Sequence, residues 1–486
     1  MTGSWAAAQV VIVGAGPVGL MLAGELGRAD VPVIVVERLD SPMTESRASQ
    51  LTTLTAELLH ERGCEALLGE AVHEPRAHFG GLGFDLSGLD SEYAGNWKVP
   101  QYRTEAVLAE RAEGLGVTVL RAHELTEITE LPDHVVCGVR GPDGDARIRA
   151  RYVVGCDGAW STVRRLCGFP VSARAATKEL LRADVTGIRV RDRRFERLDG
   201  GFATAATRDG VTRVMVHVAG QGVAERTGPP EFGEVARAWQ KVTGEDISGG
   251  TAVWVDSFDN SRGQADAYRR GRVLLAGDAA HWHMPIGGQS LNVGLQDAVN
   301  LGWKLAGTVR GWAAPGVLDS YHDERHPVAA RVLNHVAAQE VMLLGGAEIE
   351  PLRDVFSELT GLSEVRAHVA RVAANLDDRY GPPESPLIGR RVAKLGLRTE
   401  AGPLRVAGSA PVMPVLVRLA PASDDPGRFT IPTIHAIDEK GSLPGITAIL
   451  LRPDGYVAWA GDSEEGVHRA IGKLLRAEGR EENAEL

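Results

Sequence analysis

Residues 10–26 read VVIVGAGPVGLMLAGEL, and no other stretch constrains the fold as much. A β-branched run enters a set of glycines, and helical spacing follows, with Leu20, Ala23 and Leu26 on one face. VPVIVVER, at 31–38, reads as a second strand. Two apolar strands joined by a helix make a parallel βαβ unit with a right-handed crossover. Strands this uniformly apolar are buried on both faces. The same run fails as a targeting segment, because MTGSW before it has no Lys or Arg. It is also shorter than the ~20 residues of a spanning helix, and Arg28 and Asp30 end it.

The glycines point to a nucleotide. Gly14, Gly16 and Gly19 match GxGxxG, with Pro17 opening the helix. The first glycine serves the tight turn, the second lets backbone approach a pyrophosphate, and the third allows close helix–strand packing. An anion then sits on the helix N-terminus. Glu37, at the end of the second strand, is placed to accept from a ribose hydroxyl, with Arg38 beside it. This motif alone does not separate FAD from NAD, and a glycine turn without a ligand is the bland alternative.

Two further stretches narrow the choice. In GRVLLAGDAAHWHMPIGGQSLN, starting at 271, a strand ends in Gly277-Asp278. A turn at Pro285 and Gly287-Gly288 then opens a helix. An aspartate at a strand end can bind the hydroxyls of an extended ligand, and the helix start offers N–H groups. RYVVGCDGAWSTVRRLCG, at 151–168, is strand, turn and helix; taken alone, Asp157 reads as a helix N-cap.

At 486 residues the chain predicts two or three domains. We expect a nucleotide-binding domain from 1–75, 100–172 and 272–380. An antiparallel sheet domain should occupy 76–99 and 173–271, with a hairpin at Asp209-Gly210. Residues 296–371 read as mostly helical, and RYGPPESPLIGRR at 379–391 as a linker. A small α/β unit follows over 386–486, with strands about Asp454-Gly455 and an amphipathic helix from about Glu464. The net charge of −11 argues against nucleic-acid and anionic-membrane surfaces. Cys64, Cys137, Cys156 and Cys167 form no CxxC pair, which fits a reducing cytoplasm.

The three motifs, in this order, resemble the class A flavoprotein monooxygenases, with the fold of para-hydroxybenzoate hydroxylase. LRPDGYVAW at 451–459 and DSYHDERHPVAARVL at 319–333 resemble the actinobacterial subgroup that hydroxylates aromatic polyketides, which includes angucycline hydroxylases and rifampicin monooxygenases. The resemblance implies an α/β fold: a Rossmann-like FAD-binding domain interrupted by an antiparallel-sheet substrate domain, then a thioredoxin-like α/β domain. It implies that GxGxxG binds the ADP half of FAD, that Asp157-Gly158 serves both FAD and the nicotinamide cofactor, and that Gly277-Asp278 meets the ribityl chain and pyrophosphate. It makes Glu37 the ribose acid. Arg47 would lie near the pyrophosphate and help NADPH engage; Gln101, with Arg103 two residues on, would contact the flavin side. Pro285 and Gly287-Gly288 would run along the isoalloxazine ring, followed by Ser290, Leu291 and Asn292. Many relatives have glycine where this chain has Ser290. A serine keeps the helix start as an N-cap, but puts a side chain where the flavin edge slides. The last unit has no cysteine, so a packing or dimer role is expected of it.

The implied chemistry uses FAD, NADPH or NADH, and O2. Reduced flavin takes up O2 to a C4a-hydroperoxide that oxygenates a polycyclic aromatic polyketide-type substrate, without a catalytic triad. Baeyer–Villiger insertion or rifampicin-type inactivation of an antibiotic is the alternative within that chemistry. A catalytically silent flavoprotein-like binding module is the alternative outside it, and the intact glycines with Asp157 and Asp278 argue against it. His281 and His283 read either as an acid–base pair or as neutral rings satisfied by backbone, and no third metal ligand is evident. Substrate candidates between sheet and flavin are Phe79, Trp97, Phe202, Met215, His217 and Met284, although residues of these kinds are more often ordinary core than ligand contacts. Partners are then a small polycyclic aromatic molecule and a second copy of the chain, not nucleic acid or membrane.

Overall fold

Val10–Val13, Val33–Val36, Tyr152–Gly155 and Val273–Leu275 are buried at every residue, as strands between two helical layers must be. The computed structural model describes residues 5–44, 48–381, 385–392, 394–400, 402–405, 411–419, 429–439 and 441–477. In it these four strands are the centre of a six-stranded sheet. Its order is Arg269–Arg270, Val273–Leu275, Tyr152–Gly155, Val10–Val13, Val33–Val36 and Thr118–Leu120. All neighbours are parallel except the short Arg269–Arg270 edge.

The helix Pro17–Arg28 differs from the one-faced expectation, being buried on nearly all sides. It packs on the sheet and is also crossed by Ser290–Arg310 and Gln101–Gly114. Burying Glu25 in this layer requires cations: Arg62 lies at 3.0 Å and Arg28 and Arg111 at 3.4 Å.

The second sheet is antiparallel, in the order Arg193–Leu198, Gly201–Arg208, Val211–Val218, Glu179–Thr186 and Thr251–Asp259. Asp209 and Gly210 turn its hairpin with φ of 52° and 77°, the geometry an Asp-Gly hairpin favours. Alternation divides its faces. Ala183, Val185, Ala203, Val214 and Val216 pack under the helix Phe232–Thr243 around Trp239. Leu180 and Phe202 face the other way, onto Met284, Ile286, Val293 and Val332.

The C-terminal sheet runs Thr433–His435, Val415–Arg418, Ala448–Leu451, Val457–Gly461, with the first pair parallel and the rest antiparallel. That 2-1-3-4 order, followed by the helix Glu464–Leu474, is thioredoxin-like. The segment expected as a linker is clamped instead. Tyr380 N–H donates to Gly389 O at 2.7 Å, Gly389 N–H to Val457 O at 2.7 Å, and the Tyr380 ring lies 4.2 Å from that of Tyr456.

Glu324 holds the two units together. It accepts from Lys304 at 2.8 Å and from both terminal nitrogens of Arg452 at 2.6 and 2.7 Å. Burial opposes its charge, yet Arg452 and Lys304 hold the carboxyl well below the usual range. Its contribution is therefore complete at neutral pH and lost only as pH falls through that lowered value. Glu324→Ala leaves the buried Lys304 without a carboxylate and Arg452 with Asp454 alone, and should cost about 3–5 kcal/mol, read as a lowered urea midpoint at neutral pH.

Candidate active site

Three turns leave the same edge of the parallel sheet. Gly155 pairs with Val13 on one side and Leu275 on the other, so the motifs that follow those strands lie side by side. The carboxyl ends of adjacent strands are where α/β sheets bind ligands. Gly14 has φ of +104°, and a Cβ there would lie 2.5 Å from Cys156 O. A Cβ on Gly19 would lie 2.0 Å from Gly14 O. Both glycines are required by the protein's own packing. Gly16 is different: its Cβ would meet nothing within 4 Å, and no side chain caps the helix that starts there. Open space in front of uncapped N–H groups suits a phosphate.

The motif acids are already engaged to different degrees. Glu37 accepts one N–H on each oxygen, from Ala15 at 2.7 Å and Leu39 at 2.9 Å, and keeps a lone pair on each. Asp157 accepts from Thr162 N–H at 2.7 Å, Val163 N–H at 3.1 Å and the Ser161 hydroxyl at 2.5 Å. It shapes the helix Thr162–Leu166. From that helix Arg164 donates to Ala279 O at 2.9 Å and lies over the Trp282 ring. Asp278 accepts from the Ser290 hydroxyl. Here the N-cap expectation for Ser290 is corrected: Ser290 is the first residue of Ser290–Arg310, Gln289 is the cap, and no side chain caps that helix. The nearby carboxylate takes the hydroxyl.

The second glycine turn is anchored from behind. Pro285 is followed by Gly287 and Gly288, with φ of 76° and 67°. Asn292, fully buried, donates to Gly288 O at 2.7 Å and Gln50 O at 3.0 Å and accepts from Thr52 N–H at 2.9 Å. Leu291 packs on the main core. His281 and His283 do not act as a pair. His281 Nε2 bonds Asp297 Oδ2 at 2.7 Å, a carboxylate rather than backbone. His283 Nδ1 bonds Met284 O at 2.8 Å, burial keeps the ring neutral, and its Nε2 is buried without a partner. That orphaned nitrogen beside the Gly277-Asp278 turn marks polar surface that expects a ligand.

Gln101 accepts from Ala48 N–H at 3.1 Å and donates to Glu105 at 2.8 Å. Arg103 pairs with Glu70 at the surface. Arg38 is exposed and lines a cleft with Ala122 and Arg140. Arg47 lies outside the described residues. Asp297, Arg325 and Gln50 were not anticipated. Asp297 had one signal, a lone acid inside a run otherwise built for burial.

A cavity of about 470 Å³ opens beside the Gly287 turn. Phe79, Phe84, Phe195, Val332 and Ala373 form its apolar wall; Gln50, Gly287 and Gln289 close one side. Of the six aromatic, methionine and histidine candidates, only Phe79 lines it. Phe202 and Met284 are core beneath it. Trp97 packs, tilted, against the rings of Tyr93 and His73. His217 bonds Glu179 O at 2.8 Å, and Met215 sits opposite Arg182 in the sheet. Among the described residues no cluster of His, Cys, Asp or Glu is arranged for a metal, and no helix is long and apolar enough to cross a membrane.

Comparison with known proteins agrees with this layout. The chain matches the FAD binding domain family over residues 7–336 and the C-terminal domain of aromatic-ring hydroxylases over 385–477. It is 38% identical over 483 residues to the 12-dehydrotetracycline 5-monooxygenase/anhydrotetracycline 6-monooxygenase of Streptomyces rimosus, covering 94% of this chain and 96% of that one. A rifampicin monooxygenase of Streptomyces venezuelae is 37% identical over 480 residues, again covering 94% and 96%. The solved structure of CabE, an aromatic hydroxylase from angucycline biosynthesis, superposes with TM-score 0.89 at 42% identity, over 96% of this chain and 99% of that one.

The glycines separate packing from binding. Gly16→Val should leave the melting temperature nearly unchanged but weaken dinucleotide binding about tenfold, roughly 1.4 kcal/mol. Gly14→Ala must displace Cys156 and should lower the melting temperature as well. Cofactor content per protein and a thermal melt, measured together, check both.

Proposed function

The chain belongs to the FAD-dependent aromatic-ring hydroxylases, and from that premise we propose that it hydroxylates a polycyclic aromatic polyketide-type compound with NADPH or NADH as electron donor. The cavity carries this reading. Its volume of about 470 Å³ and its aromatic wall suit a flat multi-ring molecule, and it ends on Gly287 and Gln289. Small-molecule sites run from about 300 to 1,000 Å³. The printed names of the relatives, tetracycline, rifampicin and angucycline enzymes, point to the same class of substrate.

When bound, FAD supplies the redox and oxygen chemistry, passing electrons from the nicotinamide to O2 so that one oxygen atom reaches an electron-rich ring. The residues of this chain hold and shield it. In our reading Gly16 and the helix start at Pro17 receive the pyrophosphate, Glu37 the ribose and Asp278 the ribityl hydroxyls. The turn Pro285–Gly288, braced by Asn292, would offer N–H groups to the electron-rich edge of the ring system. Asp157 acts at one remove, through Arg164 and the Ala279 carbonyl. Phe202, Met284, Ile286 and Val293 make a dry floor that keeps water from the reacting centre. Four free cysteines fit a reducing compartment, so the same reading puts the enzyme in the cytoplasm.

Turnover under ¹⁸O2 with NADPH and a polycyclic phenol should give faster NADPH oxidation and label in a new ring hydroxyl. Label in a ring-inserted ester oxygen would turn the reading to Baeyer–Villiger or rifampicin-type chemistry, and no stimulation with any such phenol would refute it. Asp278→Ala should keep the fold but release FAD on dilution, its dissociation constant rising about tenfold or more, roughly 1.4 kcal/mol. A fully yellow, fully active Asp278→Ala protein would contradict that role.

A further inference from the structure

One end of the cavity is cationic. Arg76, Lys98 and Arg194 reach it from three different strands. The two arginines share one carboxylate, Glu74, with Arg76 Nε at 3.3 Å. Asp85 also lines the cavity, but it accepts from Ser87 N–H at 2.6 Å. Lys98 has no ion-pair partner among the described residues; its Nζ donates to the amide oxygen of Gln50. This differs from the other desolvated lysine, Lys304, which faces Glu324 at 2.8 Å. Desolvating an ammonium without a counter-ion is costly, and such sites are commonly functional.

The groups facing Lys98 are accounted for. Arg194 and Arg208 repel it and Glu74 attracts it; with burial as the largest effect, its ammonium drops to about 8. His78 stays neutral, brought down to about 4 by burial and by Lys98 and Arg194. His335 is also lowered by burial and Arg331. Lys98 is therefore the cation here with no carboxylate at ion-pair distance among the described residues. Its partner Gln50 connects it to the other side of the cavity, since Gln50 Nε2 donates to Gly287 O at 3.3 Å. An oxygen held at Lys98 is thus held at a set distance from the glycine turn.

We propose that Lys98 is a substrate-positioning cation, binding an ionised phenolic oxygen of the polycyclic substrate and orienting its electron-rich ring toward the Gly287–Gly288 turn. The inference rests on the flavin hydroxylase reading. On binding, the phenol O–H breaks and its proton leaves to solvent; no other bond changes. A single phenolate oxygen suits a compact ammonium, whereas a carboxylate favours a bidentate guanidinium, and both guanidinium groups here are already paired with Glu74. A phenolate is also the more electron-rich form of the ring, which an electrophilic oxygen requires.

The test uses the FAD-loaded full chain and alizarin, a three-ring phenol whose colour changes on ionisation. Alizarin is titrated from acid to mildly alkaline pH with wild type, Lys98→Met and Lys98→Arg. Bound to wild type it should ionise about one pH unit below the free dye. Lys98→Met should abolish that shift and weaken binding at neutral pH about tenfold, and Lys98→Arg should restore most of both. If Lys98→Met does not fold, the dye's ionisation on wild type and on Lys98→Arg still decides. Wild type that binds alizarin with no shift, or not at all, or a Met variant that behaves as wild type, overturns the proposal. FAD content and reduction by NADPH, read on the same samples, test the hydroxylase reading separately. A wild type that takes up and reduces FAD yet leaves the dye's ionisation unmoved defeats this inference alone.

Discussion

The rest of the structure depends on one buried carboxylate. Asp297 is 0% exposed and accepts from Gly277 N–H at 3.1 Å, His281 Nε2 at 2.7 Å and Arg325 Nε at 2.7 Å. Burial works against its charge, but His281 and Arg325 hold the carboxyl below its ordinary range. An unpaired charge at that depth would be costly, so the three partners cannot move independently. Gly277 sets where the strand Val273–Leu275 ends. Arg325 passes the constraint on, donating to the Tyr380 hydroxyl at 2.7 Å, and the Tyr380 ring packs, tilted, against that of Tyr456 of the C-terminal unit. The turn bearing Asp278 is therefore placed by a network that reaches into the thioredoxin-like sheet. A unit without cysteine can still matter to the active site by packing.

This network explains why the motif residues divide into two kinds. Asp157 spends its carboxylate on its own helix, so its influence travels through Arg164. Asn292 has both amide atoms committed to backbone. Gly14 and Gly19 are filled against by neighbouring carbonyls. By contrast Gly16 fronts open space, Glu37 keeps free lone pairs, and among the described residues Asp278 is bonded to a serine hydroxyl alone, an exchangeable partner. The residues free to meet a ligand are held by residues that cannot.

Local signals were legible in the sequence. The βαβ unit, the Asp209-Gly210 and Asp454-Gly455 turns and the helix Glu464–Leu474 follow from apolar period and turn chemistry, which act over a few residues. What was not legible depended on partners far along the chain. Gln50 meets Gly287, 237 residues away, and nothing near either position announces it. Alternation told that the antiparallel sheet has two faces but not which element each would meet. Phe202 and Met284, chosen for size and apolarity, went into the floor for that same reason. The hairpin Arg76–Phe79 and Leu82–Asp85, in the stretch assigned to the substrate sheet, gives the cavity Phe79 and Phe84, while Phe195, Val332 and Ala373 reach it from distant parts of the chain. Ser290 misled because serine at a helix start usually caps it; here a stronger acceptor, Asp278, was within reach.

The net charge of −11 bears on partners only at a distance. In physiological salt, charges separated by more than about 8 Å of solvent are largely screened. Inside the cavity the balance is local and opposite in sign: Arg76, Lys98 and Arg194 against Glu74 and Asp85. An acidic surface can turn away polyanions while a desolvated ammonium within still attracts a single phenolate. Because Gln50 spans from Lys98 to Gly287, that attraction also sets direction. Charge recognition and orientation of the ring would then be one constraint, carried by two side chains at the mouth of the glycine turn.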